Sequence, residues 1–153
     1  MNKTLADGCV LRAAKQEDLG SIRQLVLGAM LDPTQLRWSQ FLVIEYKGEI
    51  IACGQLRTFE QAQELGSLVV SKKWRNQGLG SYLTRNLIKI AQKPLYLECL
   101  GSRRANFYSR FGFVSVSWQE LPRSLKPKFG LSNLARKILR VPFYFMCHGD
   151  LTK

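Results

Sequence analysis

Apolar positions recur along this chain with two different periods. Cys9-Val10-Leu11-Arg12-Ala13 is a short extended run and predicts a first strand. Gln16-Glu17-Asp18 then brings acidic groups to a helix start, where the helix dipole favours them. Leu19, Ile22, Leu25, Val26 and Met30 follow at helical spacing, and Asp32-Pro33 ends that helix. Phe41–Tyr46 and Glu49–Thr58 read as two strands joined by a tight turn at Lys47-Gly48. Leu65–Val70 predicts another strand. Leu79, Leu83, Leu87 and Ile90 mark one face of a helix running to Lys93 and stopped by Pro94. Leu95–Leu100 reads as a strand and Ala105–Phe111 as a short helix closed at Gly112. Val114–Trp118 and Phe143–Cys147 are late strands, with a helix over Ser132–Leu139 between them.

Strands run together early and alternate with helices later. That order predicts a mixed α/β (α+β) fold with one central mixed sheet, largely antiparallel and flanked by helices. The chain has 153 residues and no internal repeat or low-complexity tract, which fits a single domain over 1–153. A chain of this length buries roughly two-thirds of its unfolded surface and needs no disulfide or metal staple. Uncharged apolar runs fall far short of the ~20 residues of a membrane span. The start, Met1 to Asp7, lacks the apolar core of a secretory signal. A soluble cytoplasmic protein without a membrane partner is expected. The oligomeric state stays open.

Cys9, Cys53, Cys99 and Cys147 are scattered, without a CxxC pair, and each sits in an apolar run. Buried reduced thiols are the expectation. The single histidine, His148, offers no ligand cluster, so no metal site is expected.

The net charge is +12, unevenly distributed. Residues 1–65 hold seven basic and eight acidic groups; residues 66–153 hold sixteen basic and three acidic. Such a field attracts anions: nucleic acid, headgroups, phosphorylated ligands or acidic proteins. A solvated surface that merely maintains solubility explains the charge equally well.

The stretch richest in chemistry runs from Leu68-Val69-Val70 through Ser71-Lys72-Lys73-Trp74-Arg75 to Asn76-Gln77-Gly78-Leu79-Gly80-Ser81. A β-branched strand leads through a basic turn into an amphipathic helix with glycines at its mouth. Glycine lets backbone approach a ligand closely, and the first helical turn offers unpaired N–H groups. With the dipole these make an anion site suited to phosphate. No Gly-Lys-Ser/Thr follows, so this is not a Walker loop, and the spacing is not GxGxxG. A strand-to-helix turn that binds nothing is the structural alternative.

Arg75-Asn76-Gln77-Gly78-Leu79-Gly80 resembles the (Arg/Gln)-x-x-Gly-x-(Gly/Ala) motif of the GNAT superfamily of acetyl-CoA-dependent N-acetyltransferases. Arg12–Leu19 resembles that superfamily's opening strand and first helix. Ala105–Phe113, with Phe107-Tyr108 followed by Gly112-Phe113, resembles its second signature. Order and spacing match over residues 8–118. The resemblance implies acetyl-CoA as co-substrate. Its pyrophosphate would lie on the loop Asn76–Ser81, with Arg75 at the motif's first position. Its pantetheine arm would pair with the strand backbone at Leu68, Val69 and Val70, whose side chains serve equally as core. A basic binding module on the same fold, non-enzymatic and directed at nucleic acid or ribosome, is the alternative reading.

Acetyl transfer to an amine needs a neutral nucleophile and a proton for the departing thiolate. A lysine amine of pKa about 10.4 costs about 4.6 kcal/mol to neutralise at pH 7, and an α-amine near 7.8 costs about 1.1. The need for a base therefore depends on the acceptor, which composition does not name. Tyr108 stands where the superfamily carries its acid; a phenol is neutral at pH 7 and can donate. Two carboxylates compete as base. Glu64 lies eleven residues before Arg75, as in histone-acetylating relatives. Glu98 ends Leu95-Tyr96-Leu97-Glu98, which resembles the Leu-x-Leu-Glu strand of protein N-terminal acetyltransferases. Those relatives space that glutamate twelve residues from the tyrosine, against ten here, and carry asparagine where this chain has Gly101. Each glutamate is otherwise a strand-end or surface carboxylate.

Arg103-Arg104 reads as solvated. Trp74 is expected to pack on the loop, and Trp38 and Trp118 in the core. The basic segment 122–140 carries Lys126, Lys128, Arg136, Lys137 and Arg140 among Phe129, Leu134, Ile138 and Leu139. It reads as an amphipathic helix over a sheet edge, on the acceptor side of the resembling fold. Weak, non-specific binding to acidic surfaces would follow from its charge.

Overall fold

The computed structural model describes residues 4–149. Its strands are β1 (Cys9–Ala13), β2 (Phe41–Tyr46), β3 (Glu49–Thr58), β4 (Gln63–Val70), β5 (Leu95–Leu100), β6 (Phe113–Val116) and β7 (Phe143–His148). Its helices are α1 (Leu19–Gly28), α2 (Leu79–Ile90), α3 (Ser102–Ser109) and α4 (Lys126–Ile138). The strands hydrogen-bond in the order β1-β2-β3-β4-β5-β7-β6. β1–β2, β2–β3, β5–β7 and β6–β7 are antiparallel, and β4–β5 is parallel. The mixed, largely antiparallel sheet expected from the element order is thus observed. The chain forms two compact units: residues up to 56 with 65–90, and 57–64 with residues from 91 onward.

In the first unit, helices cover both sheet faces. Ile22 and Val26 of α1 pack with Val43, Cys53 and Val69. Leu79 and Leu83 of α2 pack with Ile44, Ile51 and Ala52. A bulge at Ile44/Glu45 interrupts the β2–β3 register, which is why neighbours Ile51 and Ala52 share the α2 side. β3, covered on both faces, is buried from Ile50 to Arg57. Its buried Gln55 is satisfied: the amide donates to the Gln35 carbonyl and Gln40 Oε1, each at 2.9 Å, and Ser67 donates to its oxygen at 3.3 Å. Gly54 permits the close approach of α2, since a Cβ there would meet Leu87 Cδ1 at 2.7 Å and Leu68 Cδ1 at 3.1 Å.

In the second unit, α3 and α4 lie on opposite faces of β5, β7 and β6. Phe129 of α4 and Leu125, which caps it, pack with Tyr96, Phe145 and Cys147. The Phe129 and Phe145 rings stack at 5.8 Å. Alternation turns Cys99, Phe113, Tyr144 and Met146 to the other face, where Ala105 of α3 meets the last three around one shallow pocket.

Several boundaries differ from the sequence expectation. α1 stops at Gly28: Met30 takes a left-handed φ of 58°, and Leu31 N–H reaches back to the Val26 carbonyl at 3.1 Å. α2 ends at Ile90, before Lys93. β4 begins at Gln63, whose carboxamide oxygen accepts from the Gln92 and Lys93 amides, so Glu64 is a strand residue. α3 starts at Ser102, and β6 ends at Val116. α4 begins six residues before Ser132, because Pro127 occupies the first turn, where its missing N–H has no helical partner to lose. Trp38, expected in the core, is 39% exposed. Trp118 does pack against the Phe145 cluster. Cys53, Cys99 and Cys147 are buried free thiols, while Cys9 is half-buried.

Candidate active site

The glycine loop belongs to the first unit. β4 ends at Val70, and Ser71 N–H is anchored on the Ile51 carbonyl at 2.8 Å. A short 3-10 turn over Lys72–Trp74 sets the Trp74 ring 4.7 Å from that of Tyr46. Trp74 thereby packs against the core cluster beneath α2. Arg75 Nε donates to the Val70 carbonyl at 3.3 Å, and Arg75, Asn76 and Gln77 are exposed. Asn76 (φ 63°) and Gly78 (φ 83°) are both left-handed, reversing the chain into α2 at Leu79. Leu79 is buried as an anchor, and Gly80 and Ser81 are half-buried in the first turn. The N–H groups of that turn have no helical acceptor. Left-handed turn, glycine and free helix start together suit an anionic group. Leu68 and Val70 side chains face α2, and Val69 faces α1, so all three do serve as core. β4 is in register with β5 through Gln63↔Leu95 and Glu64↔Tyr96.

Both candidate carboxylates belong to the second unit, in different settings. Glu64 is 2% exposed and its two oxygens face two cations. Arg57 Nη1 lies 2.9 Å from Oε1, and Lys128 Nζ lies 2.9 Å from Oε2. Glu98 is half-buried on β5, on the α4 side with Tyr96. Its Oε2 is buried without a hydrogen-bond partner. Burial pushes the Glu98 carboxyl above its ordinary range; a hydrogen bond from Ser132 and the charges of Lys128 and Arg57 oppose that rise, and Glu64 adds to it. A carboxyl moved toward neutrality with one open oxygen is suited to accept a proton.

Tyr108 sits on α3, on the opposite face of β5 from Glu98. Its half-buried ring meets Phe107 at 5.1 Å and Phe113 at 5.8 Å, edge-on in each case. Burial raises its phenol above the usual range, with the nearby Cys99 adding to the effect and Arg104 opposing it. The phenol therefore stays protonated at neutral pH and above. Arg103 and Arg104 are exposed, as expected. The structure thus holds Glu64 between Arg57 and Lys128, leaves one oxygen of Glu98 without a partner and sets Tyr108 on the other face of β5. Arg57, Lys128 and Ser132 were not singled out as site residues from the sequence. The hint in the sequence was a charged residue, Arg57, directly after the uncharged run from Ile50 to Leu56.

The chain belongs to the GNAT acetyltransferases: the family described as "Acetyltransferase (GNAT) domain" matches residues 37–115. It is 31% identical over 129 residues to an amino-acid acetyltransferase of Shewanella oneidensis, covering 76% of this chain and 29% of that relative. It is 26% identical over 135 residues to an uncharacterized N-acetyltransferase of Chlorobaculum tepidum, covering 78% of this chain and 84% of the other. The fold matches N-acetylglutamate synthase from Neisseria gonorrhoeae, solved with coenzyme A and N-acetyl-glutamate. The TM-score is 0.72 at 21% identity, over 94% of this chain and 36% of that one. The chain therefore spans about three-tenths of the length of the amino-acid acetyltransferase from Shewanella (29%).

Proposed function

We propose that this chain transfers an acetyl group from acetyl-CoA to the amine of a small amino-acid acceptor. The observation that carries the reading is the contrast at Glu98: a strand carboxyl desolvated by burial, with one oxygen unpartnered. The names of the Shewanella and Neisseria relatives support the acceptor class. No observation favours the non-enzymatic module.

Acetyl-CoA supplies an acetyl thioester activated for attack. The loop from Arg75 to Ser81 would hold its pyrophosphate through backbone amides, and the Leu68–Val70 backbone its pantetheine arm. Glu98 takes the proton of the acceptor's ammonium, so that the neutral amine forms the new C–N bond. Tyr108 gives its proton to the thiolate that leaves. Glu64, held by two cations, serves the architecture rather than proton transfer. Four free thiols, three of them buried, fit a reducing compartment, the cytoplasm.

A panel of amino acids, polyamines and peptides with free N-termini, followed by thiol release from acetyl-CoA, tests this reading. Turnover with amino acids well above the other classes is expected. Turnover confined to peptide N-termini would replace the acceptor class. No release with any amine would overturn the function.

A further inference from the structure

The helix before β7 carries most of its large aliphatic residues away from the core. Phe129 and Asn133 of α4 turn inward, at 0% and 7% exposure, while Leu131, Leu134 and Ile138 are 79%, 51% and 67% exposed. These three are spaced three and four residues apart, so they stand in one row along the helix. Leu139, at the C-cap, is 70% exposed as well. A helix that only covered a sheet edge would present polar residues to water at these positions. The row lies in a field of one sign: residues 121–149 hold six Lys and Arg and no Asp or Glu. Three of those cations are engaged within their own unit. Lys128 pairs with Glu64 at 2.9 Å, Lys126 lies over the Trp118 ring at 5.7 Å and Arg136 over the Phe145 ring at 5.5 Å. Lys137 and Arg140, at the end of α4 where the row also ends, are exposed.

We propose that α4 is a membrane-surface helix: Leu131, Leu134 and Ile138 enter the headgroup boundary of an anionic bilayer, and Lys137 and Arg140 pair with lipid phosphates. The sequence expectation of no membrane partner concerns spanning segments. Among the described residues no helix is long and apolar enough to cross a membrane, and α4, at 13 residues, lies on the surface instead. Charge selects the lipid. A zwitterionic bilayer offers the row an apolar phase but gives the cations no net counter-charge, whereas an anionic one supplies both. Two other occupants fit the row less well. A second copy would bring like charges together, and one helix about 20 Å long is too small a patch for the ~1,000 Å² that a stable interface buries. An acidic protein would need aromatic or hydrogen-bonding anchors to seat in its pockets, and the row is aliphatic throughout. Lipid chains accept aliphatic side chains without a matching shape.

The test is flotation of the full chain with vesicles of phosphatidylglycerol and phosphatidylcholine in equal parts, against vesicles of phosphatidylcholine alone, at about 150 mM salt. Partitioning should be at least about tenfold stronger on the anionic vesicles. Leu131→Gln with Ile138→Gln should weaken it about tenfold or more, because two buried aliphatic side chains are lost. Lys137→Gln with Arg140→Gln should weaken it by about fivefold per charge on anionic vesicles and leave binding to neutral vesicles unchanged. All four positions are exposed, so these variants keep the parent fold, which circular dichroism checks. Absence of parent protein from the floated anionic vesicles would overturn the proposal. Equal partitioning on the two kinds of vesicle would do the same. Binding that survives Leu131→Gln with Ile138→Gln would also overturn it, since charge alone then acts and would extend equally to RNA. A concentration-dependent dimer in sedimentation velocity, lost in that variant and formed without vesicle binding, would assign the row to a second copy instead.

Discussion

Glu64 and Lys128 are separated by 64 residues in the chain, yet Oε2 and Nζ lie 2.9 Å apart in a site where the carboxylate is 2% exposed. With Arg57 on the other oxygen, this is a buried cation–anion–cation group. Removing the central charge leaves two cations partly or wholly without compensation, a loss that costs about 3–5 kcal/mol in buried pairs. Glu64→Gln should therefore lower the urea midpoint sharply at pH 7. Replacing Arg57, Glu64 and Lys128 together by methionine should restore much of that stability, because no buried charge remains. A single variant with near-parent stability would place this group in solvent instead.

Tyr108 and Glu98 are ten residues apart, on opposite faces of β5. Tyr108→Phe should lower kcat by about 10²- to 10⁴-fold, the range of general acid catalysis, and leave acetyl-CoA affinity intact. Burial and Cys99 raise the phenol above 10, so it is protonated throughout the neutral and mildly alkaline range. No decline in kcat from loss of this proton should be seen below that value. Steady-state rates from pH 6 to pH 10 check both points. A fall under about threefold with chemistry rate-limiting would remove Tyr108 from the reaction.

The loop prediction rests on Gly78 and Gly80. Gly78 has a φ of 83°, which a residue with a Cβ adopts at a cost of roughly 1–2 kcal/mol. Gly78→Ala should weaken acetyl-CoA binding by distorting the turn. Gly80→Glu should abolish it by placing a bulky negative charge at the helix start. Calorimetric titration with acetyl-CoA separates these from global unfolding, provided circular dichroism stays that of the parent. Unchanged affinity in folded Gly80→Glu would refute phosphate binding at this loop.

Most element identities were legible because periodicity reports burial. The β3 run from Ile50 to Leu56 and the α2 stripe of Leu79, Leu83 and Leu87 each face a core on the expected side. The glycine loop was legible because left-handed backbone at a helix mouth demands special residues, and Gly78 is one. Boundaries were obscured where a neighbour in space decides them. Gln63 joins β4 because its side chain caps Gln92 and Lys93, twenty-nine and thirty residues away. α4 begins at Lys126 rather than at the expected Ser132, because Pro127 sits in the first turn, where a proline is harmless. The competition between Glu64 and Glu98 had no local answer. The cations that hold Glu64, Arg57 on the neighbouring strand and Lys128 on α4, reach it through packing rather than through any pattern along the chain.

The remaining prediction concerns the first unit. Arg12 Nη1 and Nη2 grip the two Asp18 oxygens at 2.7 and 3.0 Å, and Lys15 N–H donates to the same carboxylate at 2.7 Å. This ties β1 to the turn that opens α1. Arg12's hydrogen bonds hold the Asp18 carboxyl below its ordinary range, outweighing the rise from burial. A carboxyl depressed in the folded state contributes stability that is complete above its unfolded pKa of about 3.9. That contribution is lost as pH falls from there through the lower folded value. Asp18→Asn should thus cost about 1.5–3 kcal/mol at pH 7, the range for hydrogen bonds to charged groups. The deficit should shrink as pH falls below about 4, since the parent then loses the same charge. Urea unfolding of both proteins at pH 7, 5, 4 and 3 reads this directly. A deficit independent of pH would mean that Asp18 acts through shape and packing, and that its charge on Arg12 adds nothing to the fold.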